Sequence, residues 1–396
     1  MNLPISPSPF LLDPDITYLN FGAFGACPLP IFEDYQRWQR ELEMEPAQFM
    51  NNNGPRYLEQ SRKTLGTYLN GNADDIVYTV NPSYAVNIIA KSFPLEPGDE
   101  ILSSDLEYGP CERTWKYYAE KSGASYIRRP IRLPIASKEE LIADFLAGIT
   151  PRTKLIFLSH ITSTTALILP VKEICTAARQ KGIVTFVDGA HIPGHLPLDL
   201  SAFPADIYTG ACHKWMMTPK GSSFLYVRKE LQHHFDPLLI SWGFQSAHPS
   251  HSQFVDYHQH QGTRDYAAFL TIPRAIAFME ENRWPEVAAT CRRLVQKNAL
   301  RFCDLLGSEP ICPITDDFIG QMFAIPIRTP DVNLLKRHLF ENHRIEVAIN
   351  QHESRVLLRY SLNAFNSPAD LDKLYAALQQ TASETPLLRL TAGAIA

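Results

Sequence analysis

FVDGAHIPGHLPLDLSAFPADIYTGACHKWMMTPKGSSFLYVR, residues 186–228, joins two short apolar runs, each of which ends in a reactive side chain. The first run, Ile183 to Val187, stops at Asp188, and the second, Asp206 to Thr209, leads into His213 and Lys214. Both runs have strand length and are bounded by turn residues, so the segment reads as strand, acidic tip, second strand and a lysine in a turn. If the strands are neighbours in one sheet, both reactive ends emerge at the same edge.

Outward from this block, the stretch Ile76 to Val227 alternates apolar runs with amphipathic ones. Strands are predicted at Ile76–Val80, Glu100–Ser103, Ser125–Arg128, Lys154–Ser159, Ile183–Val187, Ile207–Thr209 and Ser223–Val227. Helices are predicted at Ala85–Ser92, Cys111–Lys121, Glu139–Leu146 and Val171–Gln180, the last with Val171, Ile174, Cys175 and Ala178 on one face. Gly123 and Gly182 stand where left-handed caps are expected. This alternation predicts an α/β fold with a mostly parallel central sheet covered by helices on both faces, and ligands of such sheets bind at the carboxyl ends of the strands. From about Trp284 the pattern becomes long helix, strand (Gln321–Ile327), helix (Val332–Asn342), two strands (Ile345–Ile349 and Val356–Ser361) and a last helix after Ser367, a smaller α+β unit. The expected division is a large domain over 20–283 and a small one over 1–19 and 284–396. The stretch from Pro237 to Gln261 lacks a clear period and reads as a functional loop or a dimer-interface segment.

A lysine amine can hold an aldehyde cofactor as a Schiff base, and a carboxylate against a pyridine nitrogen keeps that nitrogen protonated, making the ring an electron sink. Asp188 and Lys214 at one sheet edge therefore predict a pyridoxal 5'-phosphate site. Either residue alone would read as a helix cap or a surface cation. DGAH, with the lysine of TGACHKW 26 positions on from 188 to 214, resembles the signature of the class V aminotransferase family, whose members have the fold type I architecture. LNFGAFGACP at 19–28, EYGP at 107–110, SHITSTTALILPV at 159–171 and GTRD at 262–265 are similar to its isopenicillin N epimerase-like branch.

The resemblance implies further roles. Ser83 and Tyr84 of NPSYAVNII open a helix where the family holds the cofactor phosphate, and a helix N-terminus suits that anion, although Ser83 also reads as a plain helix cap. Tyr108 matches the ring that stacks on the cofactor, with a buried core tyrosine as the alternative. His191 and Ser163 match positions close to the cofactor ring and its phenolic oxygen, and His213 a contact to the phosphate or the lysine. Thr263 matches a threonine that reaches the cofactor of a neighbouring subunit, which implies a homodimer with shared sites. Arg359, with Asn20, matches the group that grips the substrate carboxylate; its guanidinium fork suits that partner, and within an apolar strand it needs a ligand or an acid. Arg264 is read as a salt bridge or a substrate contact. The helix around Phe32–Glu43 is implied to pack with the small domain.

The formal charge of −5 on 396 residues gives no electrostatic reason for a nucleic acid or membrane partner. Seven scattered cysteines without a CxxC pair fit reduced thiols. Without a run of about 18 apolar residues or a basic leader, the expectation is a cytoplasmic protein with a small amino acid substrate. His248, His251, His258 and His260 with Asp256 lack the spacing of a zinc site, so no metal is expected. Reactions at Cα remain open: an epimerase stands first, a carbon–sulfur lyase on a cysteine derivative second and an aminotransferase third. The interval before Arg359, IEVAINQHESRVLLR, lacks the nucleophilic cysteine of the desulfurase branch.

Overall fold

The computed structural model describes residues 9–389, so the assignment of positions 1–8 to the small domain lies outside the described residues. The described chain opens with β1 (Thr17–Tyr18), then α1 (Phe21–Phe24), α2 (Leu29–Met44), α3 (Pro46–Gln48) and α4 (Gly54–Tyr68). The alternating region follows as β2 (Ile76–Thr79), α5 (Pro82–Ser92), β3 (Glu100–Ser104), α6 (Gly109–Ser122), β4 (Ser125–Arg129), α7 (Lys138–Leu146), β5 (Thr153–Ser159), α8 (Val171–Gln180), β6 (Val184–Asp188), β7 (Ile207–Ala211) and β8 (Ser223–Val227). The chain then runs through α9 (Gln253–Gln259), α10 (Ala267–Leu270), α11 (Ile272–Glu281), α12 (Trp284–Leu306), β9 (Met322–Ile327), α13 (Val332–His343), β10 (Ile345–Glu346), β11 (Ala348–His352), β12 (Arg355–Ser361) and α14 (Pro368–Glu384).

Seven strands form one sheet in the order β2-β8-β7-β6-β5-β3-β4, parallel except where β8 runs against both β2 and β7. Side-chain alternation explains why both faces are covered: Leu155 and Phe157 of β5 join one apolar cluster, while Ile156 and Leu158 join another. β6 and β7 are parallel neighbours with Asp188 opposite Thr209, so the acidic tip and the lysine turn share an edge. Gly123 takes a φ of 74° at the end of α6, the left-handed cap its position predicts.

Three expectations need correction. The run Ile345–Ile349 is not one strand: β10 pairs with β1, while β11 pairs with β12, because the backbone changes partners at Val347. The stretch 237–261 contains α9, started by a Ser252 side-chain cap and buried through Phe254, Val255 and His258, too short a helix to show a period. Helix α2 packs chiefly on α10 and α11, with Trp38 against Tyr57, rather than chiefly on the C-terminal unit. No described helix is long and apolar enough to cross a membrane.

Candidate active site

The turn after β7 is packed from two sides by glycines. A Cβ on Gly25 would lie 2.5 Å from the His213 carbonyl and 2.6 Å from that of Lys214, and one on Gly194 would lie 2.3 Å from the Trp215 carbonyl. Only glycine lets the backbone approach so closely. Inside the turn, the Lys214 amine lies 3.2 Å from His191 Nε2, and burial lowers its pKa from 10.5 to about 8. Trp215 Nε1 donates to His191 Nδ1 at 3.2 Å. An indole N–H can only donate, so Nδ1 accepts, and the neutral ring carries its proton on Nε2, facing the amine. Burial first, then the Lys214 charge, holds His191 well below the usual imidazole range.

Asp188 is buried at the tip of β6. The Ala190 N–H donates to its Oδ1 at 2.9 Å and the Cys111 thiol faces its Oδ2 at 3.7 Å; burial raises its pKa in spite of them. Beside it, sequence reading missed a second acid, Glu107. Its Oε1 accepts from Ser104 Oγ at 2.5 Å, and its Oε2 from the Ser159 N–H at 2.8 Å and Ser159 Oγ at 2.6 Å. Burial nevertheless pushes Glu107 up to about 7. Its only sequence signal is its place in EYGP.

Arg359, on β12, is 2% exposed and has no carboxylate partner among the described residues. One Nη donates to the Ser163 carbonyl and the other to Asn20 Oδ1 at 3.3 Å, while Nε finds no acceptor. Asn20 in turn donates to Glu346 Oε1 at 3.2 Å. A buried guanidinium with neutral partners and an open N–H is arranged for an anion from outside. The segment carrying Asn20 is tied to the same strand: the Ser361 N–H donates to the Leu19 carbonyl at 2.8 Å and the Gly22 N–H to Ser361 Oγ at 2.9 Å.

A single cavity of about 1070 Å³ is lined by Asn20, Ser83, Tyr108, Ser163, Asp188, His191, His213, Lys214 and Arg359. Of the residues singled out from the sequence, Tyr84, Thr263 and Arg264 do not line it. Tyr84 donates its hydroxyl to Gln261 at 2.9 Å, and Thr263 is exposed on a turn. Tyr108 is 46% exposed, which removes the buried-core alternative. His213 Nδ1 donates to the Ser222 carbonyl at 2.7 Å. Arg264 has no acid partner among the described residues and lies over the Phe269 ring instead. The loop histidines diverge, His251 to Asp74 and His258 to the Phe235 carbonyl.

These residues fit the coenzyme expected from the sequence. The amine is buried without an acid against it, Asp188 is buried without a cation hydrogen-bonded to it, and the N-terminus of α5 opens on the same cavity. No described cysteine lines that cavity.

The profile described as Aminotransferase class-V matches residues 39–374. Isopenicillin N epimerase of Streptomyces clavuligerus is 34% identical over 94% of this chain and 97% of its own. The probable chloroplastic L-cysteine desulfhydrase of Arabidopsis thaliana is 26% identical over 92% and 83%. The cysteine desulfurase CsdA of Escherichia coli has the same fold, with a TM-score of 0.79 at 22% identity over 95% of this chain and 97% of that one. The motifs around Asp188 and Lys214, the fold and the matched profile together show that the chain belongs to the class V aminotransferase family and is a pyridoxal 5'-phosphate enzyme.

Proposed function

We propose that this enzyme is an amino acid epimerase working at Cα, with Lys214, Asp188 and Arg359 as its central groups. The observation that supports chemistry at Cα is that, among the described residues, one cavity holds a buried amine and a buried guanidinium, neither bonded to an acid, and no thiol lines it. Identity to an isopenicillin N epimerase across nearly the whole length supports it.

Bound pyridoxal phosphate supplies an aldehyde carbon for covalent attachment and a ring that takes up the electron pair left at Cα. Asp188, buried at the tip of β6, would hold the proton of the ring nitrogen. Arg359 receives the substrate carboxylate on its open edge, oriented by the Ser163 carbonyl and Asn20. Lys214, with its amine half neutral near pH 8, takes the α-proton. His191 keeps its Nε2 proton toward the same space, Tyr108 would offer a ring face to the coenzyme, and Ser83 with His213 would hold its phosphate. Epimerisation needs reprotonation on the opposite face.

The second reading, a carbon–sulfur lyase, draws on the desulfhydrase relative and requires no thiol. Incubation with single amino acids in heavy water separates the two. Deuterium at Cα with inversion supports the epimerase, whereas pyruvate with released thiol overturns it in favour of the lyase; a 2-oxo acid with its carbon skeleton intact marks transamination. Full deuteration of the inverted product indicates two proton-carrying groups, and partial retention of hydrogen indicates Lys214 alone.

We also infer a homodimer. Thr263 lies outside its own chain's cavity, Arg264 Nε and Nη2 and Gln261 Nε2 are buried without partners, and Leu239, Ile240 and Trp242 are exposed together on the preceding segment.

A further inference from the structure

Tyr108 is the last residue before α6 and lines the cavity beside Asp188. Among the described residues no group hydrogen-bonds its hydroxyl and no ring packs on it. A side chain without such partners takes its direction from its backbone, so whatever fixes residues 107–109 fixes the ring. On the downstream side α6 does this, since the Tyr108 carbonyl accepts from the Cys111 N–H at 2.9 Å and the Glu112 N–H at 3.1 Å. On the upstream side the anchor is Glu107.

The two carboxyl oxygens of Glu107 tie this segment to two different strands. Oε1 reaches the tip of β3 through Ser104 Oγ, which also accepts from the Leu106 N–H at 3.2 Å. Oε2 reaches the tip of β5 through both the N–H and the Oγ of Ser159. Ser159 pairs with Asp188 across β5 and β6, and the His160 N–H donates to the Asp188 carbonyl at 2.8 Å. From the other side Cys111, in the first turn of α6, faces the Asp188 carboxyl. Glu107 therefore stands between the ring at the cavity wall and the strand pair that carries the buried acid. No basic side chain lies against it among the described residues, and a carboxyl buried in that way is a costly means of closing a turn. Such carboxyls collect at functional sites.

We propose that Glu107 is a positioning residue for the coenzyme: by clamping the tips of β3 and β5 it sets the Tyr108 ring at a fixed place relative to Asp188. Glu107 does not line the cavity and acts through Tyr108, so its role rests on the stacking proposed above for that ring.

The test is a double-mutant cycle on the coenzyme-loaded enzyme, read without turnover. Its signals are the induced circular dichroism of the bound coenzyme's visible band and the rate of coenzyme loss into coenzyme-free buffer. Tyr108→Ala should weaken the dichroism and speed the loss about 10-fold. Glu107→Ala should do the same, and Glu107→Ala/Tyr108→Ala should be no worse than Tyr108→Ala alone, because the effect passes through the ring. Glu107→Gln keeps an oxygen for Ser159 and an N–H for Ser104, and should stay close to the wild type. A role confined to fold stability would lower the melting temperature of the coenzyme-free protein yet leave the dichroism per bound coenzyme unchanged, and that result overturns the proposal. So do single-variant effects that add in the double variant. Should Glu107→Ala not fold, Ser104→Ala removes one of the same anchors and takes its place in the cycle, with the same outcomes deciding. A silent Tyr108→Ala rejects the stacking and the proposal with it, whereas an effective Tyr108→Ala beside a silent Glu107→Ala rejects only the role of Glu107.

Discussion

Glu107 is a carboxyl held by two serine hydroxyls and one backbone N–H, yet burial raises it to about 7. Its folded pKa lies above the ordinary 4.5, so its stabilising contribution is complete below pH 4.5 and is lost as the pH rises through 7. Glu107→Gln is neutral at every pH and escapes that loss. Urea melts at pH 5.5 and pH 8 should therefore show the variant gaining about 1–3 kcal/mol on the wild type across that interval; a constant gap would mean that the carboxyl is already ionised in the fold. Lys214 has the opposite sign, since lowering its pKa to about 8 enriches the neutral, reactive amine near neutrality. Coenzyme capture by the apoprotein, followed by its visible band, should rise through about pH 8 and vanish in Lys214→Ala. A rise centred near 10.5 would mean that burial does not tune this amine. Arg359→Ala should raise KM for amino acids about 10- to 100-fold with the coenzyme band intact; an unchanged KM would place the carboxylate elsewhere.

At the scale of elements, the lysine turn depends on two neighbours that allow no side chain. Gly25→Ala would adopt φ 65° and also press a methyl on two carbonyls of the turn. That backbone, φ 65° with ψ −175°, is essentially restricted to glycine and costs a side chain about 1–3 kcal/mol, and the clash should displace Lys214 and slow coenzyme capture. Gly98→Ala is the control, with φ 90° and nothing within 4 Å of the added carbon; equal capture defects in the two variants would reject the role given to the close approach. These same elements mark what could be read from sequence. Strand tips carry chemistry in parallel sheets, and so Asp188, Lys214 and Tyr108 were legible from apolar runs that end in polar residues. Glu107 was not, because its meaning comes from Ser159, 52 positions away on β5. Trp215 follows Lys214 directly in the sequence, but its grip on His191 comes from how the turn folds. The split of 345–349 was equally hidden, since apolar pattern specifies a strand and leaves its partner open.

At the scale of the whole molecule, Trp242 is 90% exposed beside Ile240 at 64%, an uncommon exposure for large apolar groups on a surface without a partner. Light scattering should give about twice the 44.8 kDa chain mass, and Ile240→Asp/Trp242→Asp should reduce it to one chain; a wild-type monomer would remove the shared-site reading of Thr263. The larger architecture, a sheet of seven strands and a C-terminal three-stranded sheet, followed from periodicity, because the inner strands of the large sheet are apolar on both faces, while the edge strand β4 is polar and only partly buried. The place of Lys336 and Arg337, on α13, at the cavity wall escaped sequence reading, since it shows only when the helix is seen to border that cavity. Residues 19–25 touch both the strand that bears Arg359 and the turn that bears Lys214. They act as a caliper: one short segment spans the two jaws, the strand of Arg359 and the turn of Lys214, so a change in that segment is felt at both.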